Sequence, residues 1–394
     1  MKFNQWTLRL AAAGVISLAG AALGEEVTSH PVMTALSSTT LSGFVDTSAQ
    51  WNLGSGNVHA PGYLFGGPSK ADGFNLNVVK LVLEKPVQPS DEWGTGYKVD
   101  LLFGPDANAY ATQSLGATPD FAVKQAYVEV KAPVGNGIDF KMGVWDTILG
   151  YEVFEPTINP NYTKSYGYSI EPATFTGVIA NYNITELIGV AAGIADNEGS
   201  AINSRSTPLR SESYKTYLGD LSLTAPSTWG WVSGSTLFFG VVNGFNAFAA
   251  AAGFHPADQT SFYSGLSLST PWKALKVGAS YDYAGVAKQS LSAEGYANAV
   301  GAYVSYQLTE KIALNERGEY FTQSKSNGGP GLPSKIVAFT STVQYDLWQN
   351  VLTRLELRWD HSADGSLAYG GTSASPVPNH KNSIEVIASA IYKF

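Results

Sequence analysis

Between Val351 and Asp360 the sequence sets Arg354, Glu356, Arg358 and Asp360 at every second position, with Thr353, Leu355, Leu357 and Trp359 between them. Successive side chains of an extended chain point to opposite faces, so this segment has one ionic face and one apolar face. Arg317 and Glu319 repeat the spacing, and Lys80, Lys98, Asp100 and Lys141 stand at alternating positions in earlier segments. A second set of charges, Glu152, Glu155, Lys164 and Glu171, lies in a stretch that also holds Tyr151, Tyr162, Tyr166, Tyr168, Pro156, Pro160 and Pro172. The chemistry these groups can do is electrostatic. Acids on one margin of a water-filled gap and bases on the other set up a transverse field that favours polar solutes over apolar ones.

Other chemistries are poorly represented. The chain has no Cys, which removes disulfides, thiolate metal sites and Cys nucleophiles. No two His lie within five residues, no phosphate-cradling GxxxxGK[ST] or GxGxxG occurs, and no DxDxDG calcium pattern is present. His361-Ser362 followed by Asp364 is the nearest match to a barrel phospholipase, but neighbouring residues on a strand face opposite sides, and His361 is expected in a loop. His59, His255, His361 and His380 are scattered over external loops, which makes an outer-rim protease a weak rival. A net charge of −8 argues against nucleic acid as a partner. The chain is expected to be no enzyme and to hold neither cofactor nor metal.

The elements that carry the charges follow from composition and period. Charged residues are 14% of the chain against about 25% in an average soluble domain, while aromatic residues reach 12% and Gly numbers 41. Residues 1–24 read as a secretory signal peptide, with Lys2 and Arg9 before a short apolar stretch and Ala22-Leu23-Gly24 before Glu25. Residues 25–40 form a periplasmic segment. From Leu41 onward period-2 alternation dominates and marks sixteen strands: 41–52, 74–84, 96–103, 121–131, 137–144, 175–182, 187–195, 213–224, 235–242, 261–269, 275–283, 296–308, 312–322, 335–347, 351–360 and 382–394. A count of fourteen or eighteen follows if 187–195 or 229–242 divides otherwise. The connections alternate between long ones of about 18 residues and short ones of about 6, and every long one exceeds its short neighbours. That asymmetry belongs to an all-β, transmembrane, antiparallel up-and-down barrel over 41–394, with short periplasmic turns and long extracellular loops. Closure satisfies every backbone N–H and C=O in lipid without helices.

Face assignment puts Lys80, Lys98, Asp100, Lys141, Arg317, Glu319, Arg354, Glu356, Arg358 and Asp360 on the lumen side. Leucine, valine and aromatic side chains face outer-membrane lipid, and Trp51, Trp93, Trp145, Trp272, Trp348 and Tyr392 are expected in interfacial girdles. Glu316 falls on the apolar face, which a place near the periplasmic rim would make tolerable. Sixteen strands leave an aqueous channel. The third external loop, 145–174, is the longest, and its aromatic and Pro content suits an ordered loop folded inward to constrict the pore at Glu152, Glu155, Lys164 and Glu171. The alternative is an external plug or rim loop.

Three stretches, LSGFVDTSAQWN (Leu41 to Asn52), KQAYVEVKAP (Lys124 to Pro133) and GYEVFEPTINPNYTKSYGYSIEPATFTGV (Gly150 to Val178), resemble the β-barrel porin type 2, OmpL-like family of outer-membrane proteins. The terminal IYKF is similar to the aromatic signature read by outer-membrane assembly machinery, with Phe394 as the signal residue. The resemblance covers the mature chain and implies an outer-membrane barrel in a Gram-negative-type bacterial envelope. The wet, charge-lined bore itself reads as a channel for passive diffusion of small hydrophilic solutes and ions. A solute-specific channel, for a sugar for example, and an adhesive barrel without conduction are the alternatives. The Ala247 to Gly253 patch in the fifth loop would serve the last of these. A homotrimer follows by analogy with other sixteen-stranded porins.

Overall fold

Alternation this regular leaves each strand with one apolar and one polar face, and the stable solution in lipid is a sheet closed on itself. The computed structural model of the chain describes residues 38–394 apart from 55, 88–91, 111, 113–118, 206–213, 247–256, 287–294 and 325–332. Sixteen antiparallel strands form a closed barrel in sequence order. They are β1 (Thr40–Asn52), β2 (Gly73–Lys85), β3 (Gly94–Phe103), β4 (Phe121–Ala132), β5 (Ile138–Asp146), β6 (Thr174–Asn183), β7 (Ile188–Ala195) and β8 (Thr216–Thr224). Then follow β9 (Thr236–Asn246), β10 (Ala257–Ser269), β11 (Leu275–Val286), β12 (Gly295–Gln307), β13 (Ile312–Gln323), β14 (Lys335–Trp348), β15 (Val351–Ser362) and β16 (Asn382–Lys393). The signal peptide, most of the segment 25–40, the Ala247 to Gly253 patch and His255 lie outside the described residues.

The barrel closes between β1 and β16, in register from Phe44↔Lys393 to Asn52↔Glu385. Phe394 completes the seam: its N–H donates to the Gly43 carbonyl at 3.0 Å and its carbonyl accepts from the Gly43 N–H at 2.9 Å. A Cβ at position 43 would stand 2.8 Å from the Phe394 ring and collide with the Lys80 carbonyl, so only Gly admits this approach.

The two faces separate as the alternation requires. On β15, Leu355, Leu357 and Trp359 are 56%, 50% and 37% exposed, whereas Arg354, Glu356, Arg358 and Asp360 are 3% exposed or less. Two bulges break the pattern. Between β1 and β2 the register shifts at Asp46/Thr47, and Asn77 and Val78 both turn inward. Between β3 and β4 it shifts at Asp100/Leu101, which re-aims Lys124 into the lumen beside Gln125.

Several expectations need correction. The connection 225–235 carries a 3-10 turn (Ser227–Val232) and is as long as its external neighbour 247–256, because β9 and β10 run past the ends that alternation marks. Trp145 is no girdle residue: it lies inside, 2% exposed, against Phe175. His361 belongs to β15, with its Nδ1 2.8 Å from Asn382 Oδ1, while Ser362 turns inward, so the pair does not meet. Glu316 stands four residues into β13, between Val304 and Ser341, about 10 Å above the strand's periplasmic end rather than at the rim.

Glu316 Oε1 accepts from Ser341 Oγ at 2.8 Å, and its buried Oε2 has no partner among the described residues. A carboxylate on the lipid face destabilises a barrel. Glu316→Leu should therefore stabilise the folded barrel in lipid vesicles by about 1 kcal/mol, seen as a higher denaturant midpoint. An unchanged or lower midpoint would mean that lipid does not contact this part of the wall.

Candidate functional site

The connection 147–173 leaves β5, enters the bore and crosses it. Its base is apolar. Ile148 and Leu149 pack with Trp145, Phe175, Ile179, Leu218, Phe238, Val242 and Tyr263 on the lumen side of β5 to β10. The lumen face on this side is apolar, unlike the charged faces of β13 and β15. Small wall residues make the room: a Cβ on Gly278 would collide with the Tyr151 hydroxyl, and one on Gly240 would stand 2.5 Å from Leu149. Tyr151 stacks on Tyr303 at 4.0 Å between ring centroids.

Past its base the loop is irregular, with one short helix, α1 (Tyr166–Ile170), capped by Ser165, whose Oγ accepts from the Tyr168 N–H at 3.0 Å. Irregular backbone buried at this depth has donors and acceptors that no sheet ladder satisfies. Charged side chains of the wall take that part. Glu356 accepts from the N–H groups of Tyr162 (2.6 Å) and Thr163 (2.9 Å). Glu319 accepts from the Tyr166 N–H at 2.6 Å. Arg317 donates to the Thr163 carbonyl at 2.6 Å and the Lys164 carbonyl at 3.3 Å, and Arg358 donates to the Lys164 carbonyl at 2.7 Å. Arg354 donates to the carbonyls of Pro156 and, at 2.7 Å, Asn159.

The charges are also paired with one another. Arg317 bridges Glu152 (2.9 Å) and Glu319 (2.8 Å), and Arg358 takes Asp360 in a two-pronged contact at 2.9 and 3.0 Å. The Arg358 guanidinium is stacked between Tyr63 and Tyr166, 3.8 and 5.1 Å from their centroids. Tyr166 donates to Asp360 at 2.8 Å, and Tyr63 to Glu385 at 2.7 Å. Past the seam strands β16 and β1, on β2 and β4, Glu155 meets Lys80 and, at 3.5 Å, Lys124; Lys80 also pairs with Asp100 at 2.8 Å, and Lys124 with Asp146.

The structure thus brings Glu152, Glu155, Arg317, Arg354, Glu356, Arg358, Asp360, Glu319, Lys80 and Asp100 to the loop. It replaces the expected water gap between acid and base margins by direct contact. Lys98 and Lys141 stay away from the loop, Lys98 being 3.9 Å from Glu84 and Lys141 lying over the Tyr127 ring. Lys164 donates to the carbonyls of Val153 and Phe154, and burial pulls its ammonium down to about 8. Glu171 is buried near Asp282 of β11, and burial with that neighbouring carboxyl holds it well above the usual range. Sequence reasoning placed Asp282 on the lumen side and Glu385 on the polar face of the last strand but passed over Lys124, Asp146 and Tyr63. Lys124 is out of phase with its strand, and only the bulge admits it.

Two cavities of about 40 Å³ flank the loop. One, beside β1 and β2, has Asp46, Ser48, Gln50, Asn77, Lys164 and Tyr162 in its lining. The other, beside β4 and β5, has Lys124, Asp146 and Thr147. Each has room for about three waters.

Arg317→Ala strands Glu152 and Glu319 in the interior, a loss of about 3–5 kcal/mol for a broken buried pair. Proteolysis within 151–174 should appear in that variant and not in the parent chain. A pH effect should appear at Glu198 in the connection 196–215. It accepts from Ser261 (2.6 Å) and Gln259 (3.2 Å) and is pushed up to about 7 by burial. A carboxyl raised in the folded state stabilises the loop fully below its ordinary value and loses that contribution as pH rises through 7. Cleavage at Arg205 should accelerate between pH 6 and pH 8 in the parent chain, and Glu198→Gln should flatten the rise.

A sequence model of the family described as putative beta-barrel porin-2, OmpL-like, matches residues 38–394. No curated protein matches the sequence. Among solved structures, the anion-selective porin from Comamonas acidovorans is similar at 11% identity, with 90% of this chain and 99% of that chain covered and a TM-score of 0.60. The outer-membrane channel DcaP of Acinetobacter baumannii gives 12% identity, 90% and 97% coverage and a TM-score of 0.59. In-vitro folded OmpT of Vibrio cholerae, in trimer form, gives 14% identity, 90% and 99% coverage and a TM-score of 0.56. These likenesses concern the fold.

Proposed function

We propose, from the family to which this chain belongs, the β-barrel porin-2, OmpL-like proteins, that it is an outer-membrane porin passing ions and small hydrophilic solutes by passive diffusion, and that its third loop sets a narrow size limit. The observation that carries the size limit is the loop's attachment across the bore, its base packed on β5 to β10 and its far part bound by Arg317, Arg354 and Arg358 of β13 and β15 and by Lys80 and Lys124 of β2 and β4. A loop held at two walls narrows the bore more than one lying along a single wall. Glu152, Glu155, Lys164 and Glu171 constrict the pore in this reading. The polar cavity beside β1 and β2 supplies the wet part of the route, where Asp46 and Lys164 set the local field. Lys98, Lys141, Glu356 and Asp360 belong to the charged bore. Phe394, whose backbone completes the seam, fits the role of assembly signal. The outer wall meets outer-membrane lipid, and a homotrimer is the assembly we propose, as in the trimer form of OmpT.

A channel fits these residues better than an enzyme, since the charges satisfy loop backbone and one another instead of facing an open cleft. Liposome swelling tests the reading. Urea-sized solutes should enter and disaccharides should not, with rates falling steeply between them. Saturable entry of one solute alone would point to a specific channel, and absence of any permeation to an adhesive or plugged barrel. Cross-linking in outer-membrane fragments checks the trimer.

A further inference from the structure

We infer that Phe154 is the steric gate of the bore: its ring is an apolar septum, one side chain thick, between the two cavities that flank the third loop. The inference rests on the porin reading above and assigns the residue that sets its size limit. Phe154 and Leu64 line both cavities. The ring is 4% exposed and is enclosed by aromatic side chains from other parts of the chain. Phe65 and Tyr110 meet it edge-on at 5.5 and 5.3 Å between centroids, and Phe44, low on β1, lies at 6.5 Å. The Lys124 ammonium lies 5.6 Å from its centroid.

Polar groups flank this septum. Asp46, Ser48 and Asn77 stand in one cavity, Lys124 and Asp146 in the other. The Phe154, Phe65 and Phe44 rings offer water no hydrogen-bond partner, and an apolar constriction closes a pore by excluding water. The backbone beside the ring is fixed. The Phe154 carbonyl accepts from Lys164 at 3.0 Å, and the next residue, Glu155, is bound by Lys80 and Lys124. The loop can therefore stay in place when the side chain alone is changed. Truncating the ring would join the two cavities without removing any of the ion pairs that hold the loop.

The test is single-channel conductance in planar bilayers together with liposome swelling for Phe154→Ala, Phe154→Leu and Phe154→Trp. Heat-modifiable gel mobility confirms that each barrel is folded. Conductance should rise in the order Trp, Phe, Leu, Ala, with the Ala variant at least threefold above the parent and admitting disaccharides. The Leu and Trp variants decide the question if the Ala variant does not fold. A parent that is silent while the Ala or Leu variant conducts also supports the gate. A parent that conducts, with variants of equal conductance and equal size limit, overturns the gate and leaves the porin reading standing. Silence in every folded variant overturns both.

Discussion

The structure depends on one constraint: at membrane depth, each backbone N–H and C=O needs a partner that water cannot supply. The strands meet it through closure, each of the sixteen pairing with two neighbours. The third loop cannot meet it that way, because it leaves the ladder and runs across the interior. Its peptide groups are bonded by ionised side chains of the wall, Glu356 and Glu319 accepting from N–H groups while Arg317, Arg354 and Arg358 donate to carbonyls. The alternating charges of β13 and β15 are thus the loop's substitute for a neighbouring strand.

This use explains why the basic members are arginines. A planar guanidinium with five donors can hold two carboxylates and two carbonyls at once, as Arg317 does with Glu152, Glu319, Thr163 and Lys164, and it can stack between tyrosines as Arg358 does. Buried ion pairs are costly to desolvate, so they add little net stability. Their contribution is positional. A loop that satisfies all these groups has one pose, and small departures leave charges bare.

The period-2 pattern made the strand count, the barrel and the inward charges of β13 and β15 legible, because alternation is a direct image of the pleat. The same pattern could not show Lys124, since a bulge is one extra residue whose place depends on its neighbour's register. Trp145 was misplaced because a girdle and a core both use tryptophan. The opposed charges were recognised, but whether water or direct contact lies between Arg317 and Glu152 depends on how far the loop reaches, a matter of Gly240 and Gly278 leaving room on the far wall. The sequence stretch around Tyr151 to Thr174 signalled an ordered inward loop without revealing that its base is apolar.

The seam at Gly43 has a consequence for biogenesis. The first strand's partner is the last to be translated, so the circle of ladders cannot be completed while the ribosome is still at work. Until then β1 and β15 offer bare edges, and sticky edges invite pairing with the wrong chain. An exported chain must therefore be held unfolded until its sixteenth strand arrives, with its bare edges kept away from other chains.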